Sequence, residues 1–322
     1  MTAKRRFIII GIAIVTASAA VAAGLMLTKP NRGIVGFSCY DMKFDYFREM
    51  EKGMRNRLCD LGYDLMVHDQ RGRTDYQIQG CLALMEQDIK ALVISPIDPK
   101  VLPKIVEQAH IKGIPVIIDD IGGGGSDYDA FVCPDDIECG RMAAEYLQEY
   151  LLMSQKPESP TVLIIRNSPT IAGAFSRGKG FREIATAQKW MIYDIVADGE
   201  EENAYREMKR MLMEVPGIDA VFCTNDPMAI GVVRAIEELG RNDIKVIGVN
   251  GDVQALKLIK AGRMLASVQL YPYAMGEIAA DVADMLINGQ SVDFDSQEER
   301  MILMPIRLID KTNVEEAFEA LH

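Results

Sequence analysis

Apolar runs of strand length alternate with helix-spaced segments from residue 33 onward. In the first part of the chain, residues 33–38, 64–68, 91–95 and 115–119 are the strand candidates, and 44–61, 76–85 and 101–111 have helical spacing. The strand candidates are continuously apolar and do not alternate with polar positions, which indicates parallel strands buried on both faces. The pattern therefore predicts a doubly wound α/β domain.

A second round of the same pattern begins near Asp135. Residues 161–165, 191–196, 220–224 and 244–249 are its strand candidates, and 139–153, 178–187, 204–214, 227–239 and 253–260 are its helix candidates. Two rounds in 322 residues predict two doubly wound parallel-sheet domains of similar fold. Open α/β sheets bind ligands beyond the carboxyl ends of their strands, so the residues that follow each strand are the functional candidates.

The amino terminus has the pattern of an export signal. Three cations at positions 4–6 precede an uncharged run, Phe7 to Leu27, that becomes rich in small residues. Cleavage before Ala20 or before Gly24 fits this pattern, whereas the uncleaved run is long enough to anchor the chain in a bilayer. In both alternatives the cations stay in the cytoplasm and the rest of the chain is exported. We therefore expect residues 1–29 to be a signal peptide or membrane anchor, and the protein to be periplasmic or extracytoplasmic.

Charge and composition exclude several classes of function. The formal net charge of −12 argues against a nucleic-acid partner. Three histidines and six cysteines without a Cys-x-x-Cys motif make a metal site unexpected, and the cysteines either pair after export or remain buried thiols. The segment 173–180 approaches a phosphate-binding loop, but Gly180 stands where that loop requires Ser or Thr. We expect no enzyme activity, no metal and no cofactor.

Polar and aromatic side chains follow six of the predicted strands. Asp, Asn and Arg can make paired hydrogen bonds to adjacent hydroxyl groups, and aromatic rings can pack on the C–H face of a sugar. The same residue types also cap helices and form turns, and for Asp252 a cap is the favoured interpretation. Six such strand ends together predict a cleft for a small polyhydroxylated ligand. The residues concerned are Tyr40, Asp41, Lys43, Ser95, Asp98, Asp119, Asp120, Arg166, Asn167, Ser168, Asn225, Asp226, Asn250 and Asp252.

Several stretches of the chain resemble one protein family. These are Ile94-Ser-Pro-Ile-Asp-Pro, Gly113-Ile-Pro-Val-Ile-Ile-Asp-Asp, Arg177-Gly-Lys-Gly-Phe, Val221-Phe-Cys-Thr-Asn-Asp-Pro-Met-Ala-Ile-Gly and Val246-Ile-Gly-Val-Asn-Gly. Over about residues 33–312 the sequence is similar to the periplasmic sugar-binding proteins of the ribose- and galactose-binding type. The resemblance implies two α/β domains, joined by three crossings, with the ligand in the cleft between them. It predicts an N-terminal domain of 30–134 with 271–304 and a C-terminal domain of 135–270 with 305–322.

The resemblance also implies site residues. Together with the strand-end residues it gives the ligand-binding candidates Asp41, Phe44, Tyr46, Phe47, Ser95, Asp98, Asp120, Arg177, Asn225, Asn250 and Gln269. Phe175 replaces the first of two arginines in the family pattern, and Gly199 falls where an aromatic ring often stacks. Phe44 also stands where the family has a polar residue, and Gln269 lies one place before the expected glutamine. Because fewer hydrogen-bond donors remain than a ribose pocket needs, we do not carry ribose over as the ligand.

The mechanism implied is closure of the two domains around a sugar or related small polar solute. The closed form, as a monomer, would then deliver the solute to an ABC-type membrane permease. The alternative is a sensory subunit that passes its ligand state to a histidine kinase or chemoreceptor.

Overall fold

The computed structural model describes residues 31–154, 159–168 and 171–319, and the predicted signal or anchor at 1–29 lies outside them. The first half alternates strand and helix as the apolar pattern indicates. Its elements are β1 (Ile34–Cys39), α1 (Asp45–Leu61), β2 (Asp64–Asp69), α2 (Thr74–Met85), β3 (Ile89–Ile94), a 3₁₀ turn (Pro99–Val101), α3 (Leu102–Ile111), β4 (Val116–Asp119) and β5 (Ala130–Pro134).

The second half repeats this order and then returns to the first. Its elements are α4 (Asp136–Met153), β6 (Thr161–Arg166), α5 (Ala172–Ala187), β7 (Met191–Val196), α6 (Glu201–Glu214), β8 (Ile218–Cys223), α7 (Asp226–Glu238), β9 (Lys245–Asn250), α8 (Val253–Lys260) and β10 (Ala266–Gln269). Four elements complete the described chain: α9 (Pro272–Ile287), β11 (Met301–Met304), β12 (Arg307–Asp310) and α10 (Val314–Glu319).

The strands form two sheets of six strands with the same winding. The first sheet has the order β11-β5-β4-β3-β1-β2 and the second has the order β12-β10-β9-β8-β6-β7. Neighbouring strands are parallel throughout, except that β12 runs antiparallel to β10. In each sheet the order reverses beside the first strand, β1 or β6, which is where such sheets bind ligands. The predicted fold class, two doubly wound parallel-sheet domains, is confirmed.

The chain passes between the sheets three times. The passages lie between β5 and α4, between β10 and α9, and between β11 and β12. The apolar pattern did not predict six of the elements: β5, β10, β11, β12, α9 and α10. The residue limits proposed for the two domains stay predictions.

Glycines let one pair of helices in each half come into close contact. A Cβ atom on Gly180 of α5 would lie 2.0 Å from the carbonyl oxygen of Ile137, and one on Gly140 of α4 would lie 1.9 Å from the carbonyl oxygen of Arg177. In the first half, Gly53 of α1 and Gly276 of α9 make the equivalent contacts. Only a residue without a side chain permits this approach, so the glycines fix how α4 and α5 stand relative to each other.

The six cysteines all lie within the described residues and are free thiols. Cys59 is exposed and the other five are buried. Burial raises the pKa of the Cys81 thiol to about 12. Of the two alternatives left by the sequence, buried free cysteine is therefore the one that applies to most of them. No helix among the described residues is both long and apolar enough to cross a membrane.

Candidate functional site

A cavity of about 310 Å³ lies between the two halves of the molecule. The turns after β1 and β4 line it from the first sheet, and the turns after β6, β8 and β9 line it from the second. Its volume is near the lower end of the range for small-molecule sites. Seven of the eleven predicted site residues line it: Phe44, Tyr46, Phe47, Asp120, Arg177, Asn225 and Asn250.

Aromatic rings from the start of α1 form one wall. The rings of Tyr40 and Phe47 are stacked with centroids 5.2 Å apart, and Tyr46 meets Phe47 edge-on at the same distance. Phe44 lies just before the helix with extended backbone, and its ring centroid is 6.3 Å from that of Tyr40. The wall offers apolar surface of the kind that packs on the C–H face of a sugar or polyol.

Asp120 is the acidic group of the first half. It stands in left-handed backbone conformation with φ of 57°, which Asp tolerates better than most residues. The hydroxyl of Tyr46 donates to its Oδ1 atom at 2.8 Å. Burial raises the pKa of Asp120 to about 6, against the opposing effect of the Arg177 charge.

Arg177 is the cationic group that faces Asp120 from the second half. Its Nε donates to Asp136 at 2.6 Å, and one Nη donates to the carbonyl oxygen of Thr224 at 3.0 Å. The two side chains of this ion pair are about nine-tenths buried. Because the glycine contacts fix α4 against α5, they also hold Arg177 against Asp136. The remaining N–H groups of the guanidinium are available to a solute.

Asn225 is held in one orientation by both ends of its amide. Its Oδ1 accepts from the backbone N–H of Met228 at 3.0 Å, which makes it the N-cap of α7, and its Nδ2 donates to the carbonyl oxygen of Gly199 at 3.1 Å. A strand-end aspartate such as the neighbouring Asp226 can either cap a helix or bind a ligand. The structure makes Asn225 the cap, and the second hydrogen on Nδ2 is left for a solute.

Asp226 ties the turn after β9 to the second sheet. Its carboxylate accepts from the Ser267 hydroxyl at 2.8 Å and from the backbone N–H of Asp252 at 2.8 Å. Burial raises the pKa of Asp226 to about 6. Burial and the charge of Asp226 raise the pKa of Asp252 to about 8. The turn therefore presents Asn250 and Asp252 to the cavity with their backbone fixed from behind.

Four predicted site residues lie outside the cavity lining. Asp41 is buried and accepts from the backbone N–H of Lys43 at 3.0 Å, and Ser95 is buried and donates to Asp119. Asp98 caps the 3₁₀ turn by accepting from the backbone N–H of Lys100 at 3.0 Å. Gln269 is buried in β10 beneath Gly251. The polar groups of Asp41, Ser95 and Asp98 therefore serve turns and a buried hydrogen bond of the fold.

Asn167 and Asp252 line the cavity although they were not among the eleven candidates. Both follow a strand, so the strand-end rule had already marked them. Asp252 stands at the N-cap position of α8, but its side chain makes no capping hydrogen bond. Asp252 therefore occupies the position of a cap, as the sequence indicates, but its side chain lines the cavity.

An ion pair connects the halves beside the cavity. Nζ of Lys43, which follows β1, lies 2.6 Å from Oε1 of Glu200, which precedes α6. Both side chains are about half exposed. The pair joins the aromatic turn of the first half to the second half, as expected of a closed cleft.

The chain is similar to known proteins along most of its length. The sequence profile of the periplasmic binding protein domain family matches residues 35–291. The ribose import binding protein of Bacillus subtilis is 28% identical over 274 residues, which cover 85% of this chain and 86% of that protein. The xylitol-binding protein of Mycolicibacterium smegmatis is 26% identical over 316 residues, which cover 94% of this chain and 86% of that protein. The crystal structure of an ABC transporter solute binding protein from Bacillus halodurans, with bound myo-inositol, matches with a TM-score of 0.82 at 22% identity and covers 91% of this chain and 99% of that one.

Proposed function

This chain belongs to the periplasmic binding protein domain family, and from that premise we propose that it captures a sugar or polyol in the cavity between its two halves and delivers it to an ABC-type permease. It is a solute-binding protein and not an enzyme, in agreement with the relatives, which are named as binding proteins. The observation that carries the proposal is the composition of the cavity wall. An aromatic surface stands on one side, and the fixed polar groups of Asp120, Arg177 and Asn225 surround it.

The polar groups suit hydroxyl groups in both hydrogen-bonding roles. The Asp120 carboxylate accepts, whereas the free N–H groups of Arg177 and Asn225 donate. Each of the three is held by a hydrogen bond to the protein, so little order has to be gained when a solute binds. The names of the relatives agree with this chemistry, since ribose, xylitol and myo-inositol are all polyhydroxylated.

A solute in the cavity would contact both halves at once. It would stabilise the closed form in proportion to the contacts that only the closed form offers. The three passages between the sheets are the segments where the backbone would rotate. A membrane permease would then recognise the closed form of an exported, monomeric protein. Residues 1–29 would have directed its export.

Thermal unfolding of the purified full chain, in a mild detergent that covers residues 7–27, tests the proposal. Ribose, xylitol, myo-inositol, allose and arabinose form the first panel. A bound solute at about 100 times its Kd stabilises the folded state by about 2.7 kcal/mol and raises Tm accordingly. If no sugar or polyol raises Tm, the proposal is wrong.

Asp120→Asn locates the site, and Asp88→Asn is its matched control. Both aspartates have left-handed backbone, with φ of 57° and 52°, so the exchange of Asp for Asn has the same effect on backbone conformational preference at both positions. Asp88 is exposed and lies outside the cavity lining. We expect about tenfold weaker binding or more for Asp120→Asn, because a hydrogen bond to a charged group is lost, and unchanged binding for Asp88→Asn. Equal affinity of the two variants would place the solute elsewhere.

Measurements in cells distinguish a role in transport from a role in sensing. Uptake of the labelled solute should be lost when this chain is deleted and restored when it is supplied again. A solute-dependent transcriptional or chemotactic response with unchanged uptake would favour the sensory alternative.

A further inference from the structure

The cavity wall carries more negative than positive charge. Among the described residues that line it, three are cations, and each is already paired with a carboxylate. The pairs are Lys43 with Glu200, Arg48 with Asp45 and Arg177 with Asp136. Of the carboxylates that line the cavity, Glu201 is paired with Arg234 on the outer surface. Two carboxyl groups of the wall remain without a cation of their own, Asp120 and Asp252.

Neither of these two carboxyl groups forms an ion pair within the described part of the chain. The Asp120 side chain receives one hydrogen bond there, from Tyr46, although the residue is only 9% exposed. The Asp252 side chain receives a long one, 3.4 Å, from the Asn250 amide. The second oxygen of each carboxylate therefore has its hydrogen-bonding capacity free for a solute.

A single buried guanidinium, that of Arg177, acts on three of the four carboxyl groups that lie around the cavity. The charge of Arg177 lowers the pKa of Asp120, Asp136 and Asp226, whereas the pKa of Asp252 is raised by burial and by the negative charge of Asp226. Burial raises the pKa of all four carboxyl groups, because an ionised carboxylate is poorly solvated there. With a pKa of about 8, Asp252 is mostly protonated at neutral pH in the free protein, and a cation beside it lowers that pKa and ionises it. A neutral hydroxyl group can donate to a carboxylate but leaves its charge uncompensated. An ammonium group donates and also compensates the charge.

Asp120 and Asp252 belong to opposite halves of the molecule. Asp120 follows β4 of the first sheet, and Asp252 precedes α8 beside the second sheet. A solute that fills the cavity lies between the two halves, so a positive charge on it would attract both carboxylates together. Its charge would then favour the closed form, in addition to the contacts made by its hydroxyl groups.

We propose that the solute is an amino sugar or an amino-polyol, whose protonated amine lies between the carboxyl groups of Asp120 and Asp252 while its hydroxyl groups face Arg177 and Asn225. This inference rests on the proposed function, because it takes the cavity to be the solute site. It assigns the chemical class of the solute within that site.

Matched pairs of compounds test the charge alone. Each pair exchanges one hydroxyl group for an amine: glucose with glucosamine, galactose with galactosamine, and sorbitol with 1-amino-1-deoxysorbitol. Titration calorimetry on the full chain at about neutral pH should give a Kd at least about tenfold lower for the amine of one pair, equivalent to about 1.4 kcal/mol. If sugars or polyols bind and no amine is preferred, the inference is overturned while the proposed function stands. If no compound of the pairs or of the first panel binds, both fail.

Asp252→Asn should remove the preference for the amine over the hydroxyl compound, while solutes still bind in the cavity. We expect the ratio of the two Kd values in the responding pair to fall by about tenfold, because the amine loses much more affinity than the hydroxyl compound does. Asp88→Asn, which makes the same exchange at an exposed position, should keep the ratio of the unaltered protein. An unchanged ratio in Asp252→Asn would show that the amine is recognised elsewhere. Mg²⁺ and Ca²⁺ are added without sugar in a separate arm, and stabilisation by either ion as large as that by the amine would also overturn the inference.

Discussion

Replacement of Tyr46 by Phe isolates the hydrogen bond that holds Asp120 in the cavity wall. The Tyr46 hydroxyl lies 2.8 Å from Asp120 Oδ1, and both residues are more than nine-tenths buried. Phe keeps the ring and its contacts with Phe47, so the change removes one donor and little packing. A buried carboxylate is left with that oxygen unpaired.

The loss of stability caused by Tyr46→Phe should depend on pH. Because burial raises the pKa of Asp120 in the folded protein to about 6, above its ordinary value, ionisation of this group costs stability as pH rises through 6. At about pH 8 the hydrogen bond goes to a charged group, and its removal should lower the free energy of unfolding by about 1.5–3 kcal/mol. At about pH 5 the carboxyl is mostly protonated, and the same change should cost only about 0.5–1.5 kcal/mol.

Urea unfolding, followed by far-UV circular dichroism at the two pH values, measures both numbers. Tyr273→Phe is the control, since the hydroxyl of Tyr273 receives a hydrogen bond at 2.9 Å from the exposed Asn56 amide and faces no buried acid. We expect that variant to lose about 0.5 kcal/mol or less, equally at both pH values. A loss in Tyr46→Phe that is the same at both pH values would refute the assignment of a titrating carboxylate at this bond.

Three further predictions concern the closed form, the helix contact and the thiols. Lys43→Met breaks a half-exposed ion pair, so it should change the free energy of unfolding by less than about 1 kcal/mol. Stopped-flow measurement should find that the variant releases the solute faster. Slower release would contradict a role of this ion pair in closure. Gly180→Ala places a methyl group 2.0 Å from the carbonyl oxygen of Ile137, so it should lower the free energy of unfolding by about 1–3 kcal/mol. Its control, Gly178→Ala in the same helix, meets no atom closer than 3.9 Å and should be neutral or stabilising. Similar urea midpoints for the two variants would refute the argument. A thiol reagent should modify Cys59 rapidly in the folded chain and all six cysteines only after denaturation, and a second rapid thiol would contradict the burial of the others.

The apolar pattern of the sequence determined the fold class and most of the elements. From their third residue onward, strands β3 and β8 are continuous apolar runs, as expected where helices cover both faces of the sheet. The strand-end rule then identified the aromatic turn after β1, and it marked Asp120, Asn225 and Asn250. These inferences hold because they depend on neighbours along the chain. The resemblance added the three passages between the halves, which local pattern does not contain.

Only the tertiary structure decided which strand-end residues meet in the cavity. Ser95 follows β3, and Asp252 follows β9 by two residues. Yet Ser95 is buried against Asp119, whereas Asp252 faces the cavity. Partners far along the chain decide between these two outcomes, because a polar side chain that donates to a buried acceptor is no longer available to a solute. The same holds for charge: the sequence shows an acidic protein, but the pairing of Arg177 with Asp136 depends on how α4 and α5 pack. Which carboxylates remain for the solute is therefore set by packing between elements, which no local pattern records.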